Sequence, residues 1–275
     1  MKNKSIRLSL FYAFVLLVCI IWLSPLLFIV LSSLKSTTDF FTGNALSLPS
    51  EIRIQNFADA WVNGNMAVYI KNGLKVSIIK VPVGVLIEAL TAFALTRLDI
   101  PGSRKIFVFF LIGMMIPMQV TLVALNIGLT KIGLINTHLG LILIQLGFGL
   151  PFGILVMRGF FRSIPGEIDE SAKLDGCNNL RLFYNILLPL AKPAAASLII
   201  LDFLASWNEF LFSSIFLTTD SLRTVPAGLM SFFGEYGTDY PLFTAGVLIS
   251  IIPVLIIYIF CQRFFVEGIA GAVKG

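Results

Sequence analysis

Six stretches of this chain are apolar for longer than a soluble fold can bury. They run over about 8–31, 72–96, 106–129, 138–161, 194–217 and 242–265, and each meets the ~20 residues a helix needs to cross a bilayer. None shows the alternating ~10-residue pattern of a barrel strand, so the spans are helical, with every backbone group satisfied within its own segment. Only 13% of residues are charged, against about a quarter in ordinary globular domains. The expectation is an all-α polytopic membrane protein: one transmembrane domain over 1–275, with six transmembrane helices.

The first run follows Lys2, Lys4 and Arg7. It is longer than the 7–15-residue core of a signal peptide and lacks an A-x-A site. Val18 before Cys19 is not small, which argues against a lipoprotein signal. Cys19, Cys177 and Cys261 are scattered and offer neither a disulfide framework nor metal-ligand spacing. Six spans put both termini on one side. That side collects Arg97, Arg104, Lys105, Arg158, Arg162, Lys173, Arg181, Lys192 and Arg263, so the positive-inside rule makes it cytoplasmic. The net charge of +5 therefore reads as orientation rather than nucleic-acid binding, since no basic stripe is interleaved with exposed aromatics.

Between the fourth and fifth spans lies a polar helix-forming interruption, residues 164–176. Pro165 suits a first turn, where a missing N–H costs nothing. Glu167, Asp169 and Glu170 suit the positive end of the helix dipole. Asp169 and Lys173 are spaced i,i+4 in the better order. Gly176 can adopt the left-handed conformation that ends a helix. Small Ser171 and Ala172 leave room for another surface to approach. By itself this is either a partner-docking helix or an ordinary capped interfacial one.

Ionisable residues inside spans are costly and mark functional candidates. At ~1.5 Å per residue, Lys80 and Glu209 fall at similar depths below the outer end of their spans. They either form an ion pair or face hydrated cavities separately. Glu88 and Asp202 share a deeper level; as like charges they avoid contact, face water or share a proton. Asp202, Ser206 and Glu209 lie on one face of span five and, with Trp207 and Asn208, either line a pathway or pack against a partner subunit. His138 reads as a cap or interface residue, and Met114, Met115 and Met118 as ordinary packing.

Several separated motifs resemble one family. Glu170-Ser171-Ala172, Asp175-Gly176 and Leu187-Leu188-Pro189-Leu190 match the E-A-A-x-x-x-G…L-P signature of permease subunits in binding-protein-dependent ABC importers, with Ser171 in place of the first alanine. Arg158 to Pro165, Trp207-Asn208-Glu209-Phe210, Gly234 to Asp239 and the terminal Gly271 to Gly275 resemble the smaller permease of the maltose/oligosaccharide class. The resemblance implies a bacterial plasma-membrane subunit that works with a second permease, two copies of a cytoplasmic ATPase and an extracytoplasmic sugar-binding protein. Glu167, Glu170, Ser171, Ala172, Asp175 and Gly176 would couple to the ATPase. Lys80, Glu88, Asp202, Trp207, Asn208 and Glu209 would belong to the pathway or gate, and Glu235, Tyr236 and Asp239 would contact the binding protein. The chain lacks a G-x-x-x-x-G-K-[ST] loop, so ATP and Mg would be used by the partner and no cofactor, metal or catalytic residue is expected here. The competing reading is an ion- or proton-coupled secondary transporter using Glu88 and Asp202. H-E-x-x-H and G-x-S-x-G are both missing, which disfavours a membrane-embedded enzyme.

Overall fold

The computed structural model describes residues 2–234 and 237–273, the side chains of 2–6, 9, 237, 261 and 263–273 excepted. Four helices are long and apolar enough to cross a membrane, and two bent helix pairs bring the number to six if each pair is one span. The four are α1 (Lys2–Ser33), α4 (Met66–Arg97), α7 (His138–Ser163) and α14 (Tyr240–Val273), each with an internal proline. The short α2 (Thr37–Thr42) and α3 (Gln55–Val62) stand between the first two.

The third apolar run is not one straight helix. It is α5 (Ser103–Gly113) and α6 (Met118–Lys131), bent by 98°. Pro117, which lacks an N–H, is the N-cap of α6 in an extended conformation. Met114 and Met115 sit in this break, and Met115 is exposed rather than packed inside a helix. After α8 (Glu167–Leu174), α9 (Asn179–Arg181) runs through a π-helical segment, Leu182–Leu187, into α10 (Leu188–Leu190). α11 (Lys192–Trp207) then leaves at 76°. The fifth run breaks again after Trp207, and α12 (Leu211–Phe216) and α13 (Val225–Leu229) follow. A two-residue antiparallel ladder pairs Phe233 with Thr238 and Gly234 with Gly237.

The chain divides into two compact units. The first comprises residues 1–67 and 229–252. Its polar anchor is Lys35, fully buried, whose ammonium donates to Asn44 O (3.0 Å) and Ser47 Oγ (3.1 Å). Asn56 donates to the carbonyls of Ser33 and Lys35, closing the turn that follows α1. Phe40 stacks on Tyr240 with ring centroids 5.1 Å apart.

The second unit, residues 68–228 and 253–275, holds the polar residues expected inside spans. α7 packs against α5, α11 and α12. Its core joins Leu141, Ile142 and Ile144 to Val76, Leu129, Phe212, Phe216 and Leu217. The segment after α12 is tied down. Tyr69 donates to the Asp220 carboxylate (2.9 Å), Asn72 donates to the carbonyls of Ser221 and Arg223, and Val225 and Ala227 are buried. The polar partners that hold it, Tyr69 and Asn72, come from α4.

Candidate functional site

Two constellations carry the ionisable chemistry of the second unit. The first is the elbow around α8. Its end is a full Schellman closure: Gly176 has φ +81°, its N–H bonds to Lys173 O (3.0 Å), and Cys177 N–H bonds to Ala172 O (2.9 Å). Downstream, the Asn178 side chain accepts from Arg181 N–H and caps α9. The Asp169–Lys173 pair expected from spacing does not form. Asp169 turns inward, where its Oδ2 lies 3.0 Å from Arg97 Nε. Arg97 also donates through Nη2 to Phe161 O (2.9 Å) and Ile164 O (2.7 Å). One guanidinium thus joins the last turn of α4, the end of α7 and the first turn of α8. A delocalised cation that can satisfy a carboxylate and two helix-end carbonyls together outcompetes a solvated lysine one turn away.

Ala172 shares the inner face with Asp169 and is buried, so it is not the outward small residue that the spacing suggested. Glu167, Glu170, Ser171, Leu174, Asp175 and Gly176 are exposed, with Ser171 Oγ bonded back to Glu167 O. Leu174 is 89% exposed.

The second constellation is a buried polar seam. Lys80 pairs with Asp202, not Glu209: Nζ lies 2.9 Å from Asp202 Oδ2, with the two side chains 3% and 7% exposed. Lys80 lies further from the start of its helix than the apolar run implies, because α4 begins at Met66 rather than near residue 72; six residues add about 9 Å along the axis. Glu209 lies in the break after α11, where its carboxylate accepts from the N–H groups of Phe212 (2.7 Å) and Ser213 (2.9 Å) and so caps α12. The seam continues through Ser77 to Ser206 (3.1 Å), Ser206 to Gln145 (2.7 Å), and Gln145 to Glu209.

Glu88 is completely buried, and neither carboxyl oxygen has a hydrogen-bond partner. Three glycines make room for these charges. A β-carbon on Gly84 would lie 3.3 Å from Asp202 Oδ2 and 3.6 Å from Glu88 Oε1; one on Gly149 would lie 3.1 Å from Lys80 Nζ. One on Gly153 would overlap the Glu88 carboxyl outright. The two acids expected at a shared depth therefore both flank Gly84, and Lys80 of α4 pairs with the one on α11. Beside them is a cavity of about 260 Å³, lined by Lys80, Gln145, Asp202, Ser206 and Glu209 on its polar side and by Phe148, Phe152 and Phe212 on its aromatic side.

The other expected pathway residues lie apart. Trp207 is buried, stacked on Phe203 (5.6 Å) with its ring against Gly73, and Asn208 is the exposed C-cap of α11. His138 is buried, with Nε2 2.8 Å from Leu222 O. Glu235 and Tyr236 lie outside the described residues. Asp239 accepts from Leu242 N–H and from Thr37 Oγ1. Among the described residues no three His, Cys, Asp or Glu side chains converge as a metal site. Sequence reasoning missed Arg97 and Gln145. The signals were there: a cation in the last turn of a span, and a lone amide in the apolar run Leu141–Leu150.

Against known proteins, residues 80–269 match the family model described as "Binding-protein-dependent transport system inner membrane component". The chain is 39% identical over 252 residues to the probable ABC transporter permease protein YurM of Bacillus subtilis (strain 168), covering 91% of this chain and 83% of that protein. It is 34% identical to the probable starch degradation products transport system permease protein AmyC of Thermoanaerobacterium thermosulfurigenes, covering 93% of each. The fold matches a chain of a bacterial ABC transporter involved in the import of the acidic polysaccharide alginate, with TM-score 0.83, 22% identity, and coverage of 96% of this chain and 98% of that one.

Proposed function

This chain belongs to the inner membrane components of binding-protein-dependent transport systems, and from that premise we propose that it is half of the translocation pathway of an ATP-driven sugar importer, coupled to a separate ATPase through α8. It is a multi-pass membrane protein and a transport component rather than an enzyme. The sugar assignment follows relatives named for starch degradation products and alginate, and oligosaccharides are the favoured class. A second permease, two ATPase copies that use ATP and Mg, and an extracytoplasmic binding protein complete the assembly, with both termini of this chain in the cytoplasm.

The observation that carries the coupling role is the Arg97 junction. An interfacial helix with no partner needs only caps. α8 is instead fixed to the ends of two long helices by a single, mostly enclosed guanidinium, while its other face is left exposed. Displacing α8 would therefore tilt α4 and α7 as one body, which is what alternating access by rigid-body motion requires. Glu167, Glu170, Ser171 and Leu174 would meet the ATPase; Ala172 would act from inside, by letting α8 sit close to its own chain. The seam of Lys80, Asp202, Gln145 and Glu209 would line or gate the passage, with Glu88 behind it and Trp207 and Asn208 shaping the break in span five. Asp239, Glu235 and Tyr236 would face the binding protein.

The test is a single cysteine at Ser171 in the purified importer. Crosslinking to the ATPase, in a yield that changes when a non-hydrolysable nucleotide is added, is the expected result. Transport that continues with an inactive ATPase but stops when the proton gradient is dissipated would overturn the reading and favour a proton-coupled carrier using Glu88 and Asp202.

A further inference from the structure

Arg104 and Lys105 occupy the first turn of α5, the end of a helix where cations are least favourable. No acid shares that turn, and among the described residues neither cation has an ion pair. Asp99, the nearest acid in sequence, stands before the Pro101–Gly102 turn and pairs with neither. Local helix stability therefore does not account for these two charges.

Below them the surface changes character. Arg104 and Lys105 head one face of α5 that continues through Val108, Phe109 and Ile112, all exposed. From Arg104 to Ile112 this face runs about 12 Å along the helix axis. On the neighbouring α7, Arg158 lays its guanidinium over the Phe107 ring, 3.9 Å from the centroid, and its Nε is buried without a hydrogen-bond partner. The Arg97–Asp169 contact fixes this end of α4, next to the start of α5, at the level of α8. The distribution of basic residues makes that side cytoplasmic, the leaflet that carries anionic lipid.

We propose that this face of α5 holds one anionic phospholipid, its phosphate on Arg104 and Lys105 and an acyl chain along Val108, Phe109 and Ile112. Charge complementarity selects the occupant. Two unneutralised cations at one end and apolar walls at the other match an amphiphile with an anionic head. A protein helix would need the apolar strip to continue past the cations, and a free anion would have no use for it. The proposal rests on the membrane assignment and on the orientation read from the basic residues, and is independent of which solute is carried.

The importer, purified with its partner subunits, is exposed to equal phosphatidylglycerol and phosphatidylcholine, and retained lipid is counted by native mass spectrometry. Wild type retains phosphatidylglycerol in preference. Arg104→Gln and Lys105→Gln each weaken that preference about fivefold, and the double variant abolishes it. Arg104→Lys keeps most of it, and Lys131→Gln, on the opposite side by the charge distribution, leaves it unchanged. Should the double variant fail to assemble, Lys105→Gln alone decides. Equal retention of the two lipids by wild type overturns the proposal. So does undiminished phosphatidylglycerol on the glutamine variants, tight binding of inorganic phosphate by delipidated complex, or a Phe109→Cys thiol that the second permease shields from a soluble maleimide.

Discussion

The seam and the elbow are each built on one ion pair of nearly equal length, 2.9 Å for Lys80–Asp202 and 3.0 Å for Arg97–Asp169. Their surroundings differ. At the elbow, the guanidinium spreads its charge over a carboxylate and the carbonyls of Phe161 and Ile164 at the end of α7, and both side chains keep 12% exposure. In the seam, a point charge meets one acid while a second, Glu88, lies next to the same glycine without any hydrogen bond. The elbow contact positions helices at modest desolvation cost. The seam contact is a desolvated pair whose value lies in not being broken. A transporter can use both: a stiff joint where force enters, and a finely balanced charge cluster where helices must shift.

The largest expected effect tests that contrast directly. Asp202→Ala leaves Lys80 buried and unpaired and is expected to cost about 3–5 kcal/mol, read as loss of assembled complex or a sharply lower Tm. Lys80→Met combined with Asp202→Leu is expected to restore assembly while leaving transport impaired. If the single variant assembles normally, the seam is hydrated and the contrast is broken. Next comes Gly153→Ala, whose methyl group would overlap the Glu88 carboxyl; overpacking of this kind costs about 1–3 kcal/mol. Adding Glu88→Ala should recover most of that loss in a double-mutant cycle.

At the elbow the effect is smaller in stability and larger in coupling. Arg97→Lys keeps the charge but cannot reach Asp169, Phe161 O and Ile164 O together, and is expected to cost about 1–2 kcal/mol. ATPase stimulation by the loaded binding protein should fall several-fold while the complex still assembles; a proportional loss of assembly and stimulation would make Arg97 merely structural. Glu209→Ala removes the cap of α12 for about 1 kcal/mol, with Glu209→Gln retaining part of it in the same melting assay. Gly176→Ala, at φ +81°, is expected to be the mildest, at about 1 kcal/mol, and confined to the α8–α9 turn as seen by hydrogen exchange.

The elbow was readable in the chain because its rules are local. Pro165, three acids and Gly176 specify the start, polarity and end of a helix through contacts no more than five residues apart. The partner of Asp169 was not readable, since Lys173 and Arg97 are equally legitimate cations and only the packing of α4 beside α8 chooses between them. The seam was half readable. Each charged residue inside a span stood out as costly, but its partner depended on depth, and depth depended on helix ends that apolar runs define poorly. The bend at Pro117 and the interruption of the helix after Trp207 were also missed. A proline or a short polar stretch permits a bend, but whether the chain uses it is decided by what packs on either side.

By itself, then, the sequence determined that this chain lives in a membrane, that it is helical, and that a capped polar helix interrupts its spans. Those follow from hydrocarbon length, backbone hydrogen bonding and short-range capping, which neighbouring residues settle among themselves. Tertiary structure decided that Lys80 meets Asp202, that Glu209 caps a broken helix, that Glu88 presses on Gly153, and that Arg97 joins three helices. In a medium without water, a buried charge takes the partner that packing brings within reach, and helices far apart in the chain determine that distance.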